Sequence, residues 1–233
     1  MPGSLYLLPV TLGNNEYNTV ITGYVTEIAR SLRHFVVEDL RSARRFLRLI
    51  DKTFPIDDTV FFELNEHTSQ DVISDFIAPA LEGFNIGLMS EAGLPGIADP
   101  GMLLVRMAHS SNIRVIPLSG PSSILLALIA SGLNGQNFVF HGYLPQKAEE
   151  RTVKLKEIEK RIAGGETQVF IETPYRAQKM TDAILAVCKP ESILCIACDI
   201  TLQTEDIKTM RIADWKKKHP STDGRLVVFL LGS

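Results

Sequence analysis

Twelve residues, Ser90-Glu91-Ala92-Gly93-Leu94-Pro95-Gly96-Ile97-Ala98-Asp99-Pro100-Gly101, carry the strongest chemical signal in this 233-residue chain. They follow the apolar run 85–89, which reads as a buried strand, and precede 102–108, which reads as a helix. Glycine has no Cβ and proline fixes the chain direction, so backbone amides in such a turn can approach a ligand closely. In an open α/β sheet, cofactors bind at the carboxyl ends of strands, where this turn lies. An ordinary tight βα loop has the same composition. Two further segments tip the reading towards a site. The first strand ends in Leu7-Leu8-Pro9-Val10-Thr11-Leu12-Gly13-Asn14, a turn whose amides or hydroxyls can hold a polar ligand. Pro117-Leu118-Ser119-Gly120-Pro121-Ser122-Ser123 is a second compact turn, before the apolar run 124–129.

The chain has neither the G-x-G-x-x-G of a dinucleotide fold nor the G-x-x-x-x-G-K-[ST] of a P-loop, which disfavours both classes. A net charge of −3 excludes a strong global attraction to nucleic acid. Arg30, Arg33, Arg41, Arg44, Arg45 and Arg48 can form a local basic face, or simply a solvated one. Cys195 and Cys198 form a C-x-x-C, but within a strand-like apolar run, so they read with Cys188 as small buried hydrophobes. His67, His109, His141 and His219 are scattered without ligand spacing, and no metal is expected. No run is long enough to cross a bilayer and no signal peptide is visible, so no membrane association and a cytoplasmic location are expected.

Strand-like and helix-like runs alternate, which predicts an α/β fold with mainly parallel sheets. Strands are expected at 5–9, 35–38, 60–63, 86–89 and 115–117, with helices at 19–32, 42–50, 70–81 and 100–109. The turn at 117–123 breaks this rhythm and divides the chain into domains 1–118 and 119–233. The second has strands at 138–141, 168–172, 193–199 and 225–231, and helices at 153–163 and 177–187. Segment 201–210 fits either an antiparallel strand or a long loop.

Taken together, Pro9-Val10-Thr11-Leu12-Gly13-Asn14, Glu38-Asp39-Leu40-Arg41, Ser90 through Gly101 and Pro117 through Ser122 resemble the tetrapyrrole methylase superfamily of S-adenosylmethionine-dependent methyltransferases. The chain is most similar to the branch that methylates a cytidine ribose 2′-hydroxyl in small-subunit ribosomal RNA. The resemblance implies two α/β domains with S-adenosylmethionine in the cleft between them, and a homodimer. It implies that Pro9 and Gly13 line one wall, that Ser90, Glu91, Ala92 and Gly93 cradle the cofactor, and that Ile97 lies nearby. Ser122, Ser123, Thr173 and Ala197 complete the implied cofactor set.

The implied reaction is in-line attack of an oxygen on an activated methyl group, so positioning does most of the work. A ribose hydroxyl is a poor nucleophile, and a nearby base helps. Glu38, Asp39 and Glu66 are the candidate carboxylates, with Arg41 as an orienting or phosphate contact. Asp39 also suits a helix N-cap. Arg176 fits a substrate-side loop, and Lys147 and Arg151 could contact phosphate; each also fits a solvated helix terminus. Departures from the branch fall on the presumed substrate side: Cys198, Asp199 and Gln203 stand where it carries Arg, Glu and Lys, and Arg225 where it carries an acid. A tetrapyrrole-like small molecule or a protein side chain is therefore the alternative acceptor. A cofactor-binding RNA-binding protein without turnover is the reading from a different class.

Overall fold

In a computed structural model, residues 2–65 and 68–233 are described, and they fall into two compact units, Met1–Ser122 and Ser123–Ser233. The sequence placed the division at 118/119. The first unit contains strands β1 (Ser4–Leu7), β2 (His34–Val37), β3 (Val60–Glu63), β4 (Ile86–Met89) and β5 (Arg114–Pro117). Its helices are α1 (Gly23–Ser31), α2 (Leu40–Ile50), α3 (Gln70–Phe76), α4 (Ala78–Leu81) and α5 (Gly101–Ser110). The five strands form one parallel sheet in the order β3-β2-β4-β1-β5.

Successive strand residues point to opposite faces, which splits the apolar β2 run HFVV between two cores. Phe35 and Val37 pack with Ala29 of α1 and with Phe46 and Leu47 of α2. Val36 packs with Ile73 and Phe76 of α3 and with Leu104 and Ala108 of α5. With a helical layer on each face, the central strands can be apolar throughout. Helix α2 buries Ala43, Phe46, Leu47 and Ile50 and exposes Arg41, Arg44, Arg45 and Arg48. Asp39 caps it, its Oδ1 accepting from Ser42 N at 2.7 Å.

Three of the expected helices depart most from the sequence expectation. The segment expected at 19–32 begins only at Gly23, because Thr22 is its N-cap; a 3-10 turn, Tyr17–Thr19, precedes it. The helix expected over 70–81 is divided at Ile77 into α3 and α4. Pro79 explains the break, since it has no N–H to donate and its ring crowds the carbonyl four residues back. In the second unit, α7 begins five residues before the expected 153, at Ala148, where Glu149 and Glu150 suit the positive end of the helix dipole.

The second unit contains α6 (Ser123–Ser131), β6 (Phe138–Tyr143), α7 (Ala148–Ile162), β7 (Thr167–Glu172), α8 (Pro174–Val187), β8 (Ile193–Cys198), β9 (Asp206–Arg211), α9 (Ile212–Lys218) and β10 (Val227–Gly232). Its sheet runs β6-β7-β10-β8-β9. Mainly parallel pairing was expected, and here the structure corrects it: β6 and β7 are parallel, while β10 is antiparallel to both β7 and β8, and β9 to β8. The reason lies in segment 201–210, which divides into a turn and the edge strand β9. One solvated face gives an edge strand the polar alternation that made the segment ambiguous.

Cys188, Cys195 and Cys198 are buried and unpaired. Burial pushes the Cys188 thiol to about 12 and the Cys198 thiol to about 11, so both behave as small hydrophobes. Among the described residues no cluster of His, Cys, Asp or Glu could hold a metal ion, and no helix is long and apolar enough to cross a membrane.

Trp215, the chain's single tryptophan, locks α9 to the sheet: its buried Nε1 donates to Leu194 O of β8 at 2.8 Å. Trp215→Phe leaves that carbonyl without this donor and opens a small void. The expected loss is about 1–3 kcal/mol, read as a lower denaturation midpoint at unchanged m-value.

Candidate functional site

The site is built where the strands of the first sheet end. Because β1 and β4 are neighbours, the loops leaving them run side by side. Leu8 N donates to Leu88 O at 2.9 Å, and Val10 N to Gly93 O at 2.9 Å, so the pairing continues past the strands into the loops. Glu38 N donates to Met89 O at 3.1 Å, bringing the end of β2 against the same segment. Leu118 N donates to Leu7 O at 3.2 Å and adds the turn that leaves β5.

Two glycines set how closely these loops approach. Gly93 has φ +74°, and a Cβ there would lie 3.1 Å from Leu12 Cδ2 and 3.3 Å from Pro121 O. A Cβ on Gly120 would lie 2.1 Å from Pro9 Cβ. Real Cβ atoms do not approach so closely, so glycine at 120 lets the β5 turn close over Pro9. The Ser90–Gly101 loop also holds its own shape. Asp99 accepts from Gly96 N (2.9 and 2.8 Å to its two oxygens) and from Gly101 N (2.7 Å). Ser90 is buried, its Oγ donating to Ala92 O at 3.1 Å.

Glu38 is tied directly to this loop: its Oε2 accepts from Glu91 N at 2.9 Å. Burial pushes the Glu38 carboxyl up; the Glu91 amide opposes this, and the negative charges of Asp99, Glu91 and Asp39 push it further. The net direction is upward, which makes the Glu38 carboxylate a stronger base than an exposed glutamate. Burial also raises Asp99, outweighing its amide bonds to Gly101 and Gly96. The rim of the loop is thus electronegative, with glycine backbone at its centre.

A cavity of about 420 Å³ adjoins it, lined by Thr11, Gly13 and Asn14 from the β1 loop, Ser90 and Glu91 from the β4 loop, and the Ser42–Leu49 side of α2. The structure therefore brings Gly13, Ser90 and Glu91 to one cavity. Pro9 and Gly93 are buried and Ala92 and Ile97 exposed, and none of the four lines it. Arg41 is exposed on the first turn of α2, and its charge helps lower the capping Asp39. Glu66 lies outside the described residues.

Ser122 is buried at the end of the first unit, and Ser123 opens α6 in the second. Within the second unit, Thr173 and Arg176 line a more open cavity of about 650 Å³ with Tyr143 and Tyr175. Arg176 is engaged: its Nε donates to Glu172 Oε1 at 2.8 Å, fastening α8 to the end of β7. Ala197 is fully buried in β8, between Val228 of β10 and Ile207 of β9, and lines neither cavity.

In the second unit, Asp199 and Arg225 are partners. Asp199 Oδ2 accepts from Arg225 Nε at 2.8 Å and from Thr204 Oγ at 3.0 Å, and its Oδ1 from Leu226 N at 3.1 Å. Arg225 Nη2 also donates to Thr204 O. Burial opposes the Asp199 charge, but these donors outweigh it and hold the carboxyl below its usual range. The guanidinium at 225 thus has its carboxylate partner at 199. Twenty-six positions apart, the two residues carry no signal in the sequence that pairs them. Asp99, not among the candidate residues, does carry one: Asp-Pro-Gly before a helix is a turn signal with a side-chain acceptor.

The family model for Tetrapyrrole (Corrin/Porphyrin) Methylases matches residues 5–215. The chain is 33% identical to "Ribosomal RNA small subunit methyltransferase I" of Vibrio cholerae, over 90% of this chain and 69% of that protein. It is 32% identical to the protein of the same name from Escherichia coli O157:H7, over 99% of this chain and 78% of that one. The crystal structure of the methyltransferase CobJ superposes with a TM-score of 0.65 at 17% identity, covering 99% of this chain and 94% of that one. A uroporphyrin-III-C-methyltransferase from Thermus thermophilus gives 0.57, also at 17% identity, covering 100% and 93%. At these identities the two structures establish the fold.

A double-mutant cycle on Asp199→Asn and Arg225→Gln is expected to give a coupling of about 1–2 kcal/mol, since the pair is partly buried and charge-assisted. Asp199 is lowered in the folded state, so this stabilisation is present above the ordinary aspartate range and disappears as pH falls through the lowered value. Urea titrations at neutral and acid pH measure both.

Proposed function

This chain belongs to the tetrapyrrole methylase family and is an S-adenosylmethionine-dependent methyltransferase, and on that premise we propose that it methylates the 2′-hydroxyl of a cytidine ribose in small-subunit ribosomal RNA. The observation that carries the acceptor is the 32% identity, over 99% of the chain, to a relative named for that ribosomal subunit. We read the protein as a cytoplasmic homodimer. Leu125 and Ile129, exposed four residues apart on α6, support a face that a second copy covers.

The first unit fits the cofactor. A sulfonium needs shape, backbone hydrogen bonds and a negative surround rather than a phosphate cradle. The Ser90–Gly93 backbone and Gly13 supply the first two, and Glu38, Glu91 and Asp99 supply the third. When bound, S-adenosylmethionine provides a methyl group already activated by positive sulfur. Glu38 accepts the proton of the attacking hydroxyl, with its burial-raised carboxyl anchored by the Glu91 amide. Arg41 and Glu66 complete the proposed catalytic set, Arg41 as the orienting cation.

Calorimetry with S-adenosylhomocysteine, followed by methyl transfer into unmodified small ribosomal subunits, tests this reading. Binding by the wild type is expected, with binding lost in Gly93→Arg, where both the positive φ and the 3.1 Å approach of Leu12 exclude a side chain. Cofactor binding with no label in the subunits would reject the RNA acceptor and favour a small-molecule or protein one.

Glu38→Gln is expected to lower transfer by about 10²–10⁴-fold. Its effect on stability has the opposite sign. Because the folded-state value is raised, the wild-type contribution is full below the ordinary glutamate range and lost as pH rises through the raised value. The variant therefore gains relative stability as pH rises through that window. Parallel thermal melts and rate measurements across pH check both halves.

A further inference from the structure

Helix α2 carries Arg41, Arg44, Arg45 and Arg48 on its exposed side, and they are not equivalent. Arg44 lies over the Phe61 ring at 5.4 Å, and Arg41 sits beside Asp39. Arg45 and Arg48 instead line the 420 Å³ cavity, on the same strip of helix as Ser42. Arg48 uses one nitrogen to donate to Lys52 O at 2.7 Å. Neither Arg45 nor Arg48 has an acidic partner within salt-bridge distance among the described residues. Thr11 and Asn14 add polar lining from the β1 loop, and Glu91 marks the side that meets the cofactor loop.

The lining is therefore divided by charge. A sulfonium is stabilised beside Glu91 and the raised carboxylates, and repelled by the guanidinium groups. Arg48 feels the charge of Asp51 without a salt bridge to it, whereas the Arg45 fork has no salt-bridged carboxylate and matches the paired oxygens of a phosphodiester. The volume falls within the range of about 300–1,000 Å³ typical of small-ligand sites.

We infer that this cavity is the RNA phosphate pocket of the enzyme: Arg45, supported by Arg48, holds a backbone phosphate next to the acceptor nucleotide, with Thr11, Asn14 and Ser42 completing the polar lining. The inference rests on the RNA acceptor proposed above and adds the surface that positions it. It also divides the arginine run on α2: Arg44 packs over Phe61, while Arg45 and Arg48 face the substrate pocket beside the orienting Arg41.

The test uses the full chain and unmodified small ribosomal subunits, comparing Arg45→Gln, Arg48→Gln and Arg45→Lys with Arg114→Gln, at the start of β5 and therefore away from the strand ends that form the site. Thermal melts confirm that each variant is folded. Arg45→Gln is expected to raise KM for subunits at least about tenfold with a smaller change in kcat, and to flatten the salt dependence of binding by about one unit of log–log slope per lost phosphate contact. Arg48→Gln should move in the same direction. Arg45→Lys should recover part of the KM, because it keeps the charge without the fork. S-adenosylhomocysteine affinity should stay within about twofold.

Transfer by the wild type, with Arg45→Gln indistinguishable from Arg114→Gln, overturns the pocket and leaves the RNA reading standing. Loss of S-adenosylhomocysteine affinity at unchanged subunit KM also overturns it, assigning Arg45 to the carboxylate of the cofactor. Cofactor binding without any transfer to subunits removes the RNA reading itself, and the pocket with it.

Discussion

The pairing of β1 with β4 at the centre of the first sheet governs the chemistry of that unit. Parallel pairing fixes which strand ends lie together, and the bond from Val10 N to Gly93 O carries the ladder beyond the strands. Two loops far apart in the chain become one surface. The β5 turn closes over Pro9 because position 120 has no Cβ. Glu38 reaches Glu91 only because β2 pairs with the other side of β4. A different strand order would leave the same loops intact and separate the groups that make the site.

That arrangement has an electrostatic cost. Glu38 and Asp99 are raised by burial, and each feels too little compensation from backbone donors to return to its ordinary value. Carboxylates kept partly desolvated are typical of functional sites, where structure is under tension for the sake of chemistry. Asp99 uses its charge on the amides that shape the loop. Glu38 uses one carboxylate oxygen in the same way, on the Glu91 amide, which fixes the side chain against the loop.

In the second unit the same kinds of group are satisfied internally. Arg176 is bound to Glu172, and Asp199 to Arg225, Thr204 and Leu226. Positions 199 and 225 are thus linked through an ion pair. This pair anchors the turn between β8 and β9 to the start of β10, giving the mixed sheet a fixed edge.

Much of this was legible in the residues. Alternation of apolar runs with amphipathic ones marked the layered α/β fold, and glycine and proline at strand ends marked the loops, because local backbone geometry follows from residue type. The Asp39 cap was readable for the same reason. The break at Pro79, although a local signal, was obscured by the apolar periodicity on either side. The antiparallel direction of β10, the partnership of Asp199 with Arg225 and the separation of Arg45 from Arg44 were not readable. Each depends on residues brought together across tens of positions, and strand order and helix rotation decide which ones meet. The sequence by itself determined which elements form and what chemistry their ends can offer; the tertiary structure alone decided which ends share a surface, because through-space hydrogen bonds and charges depend on distance and not on spacing along the chain.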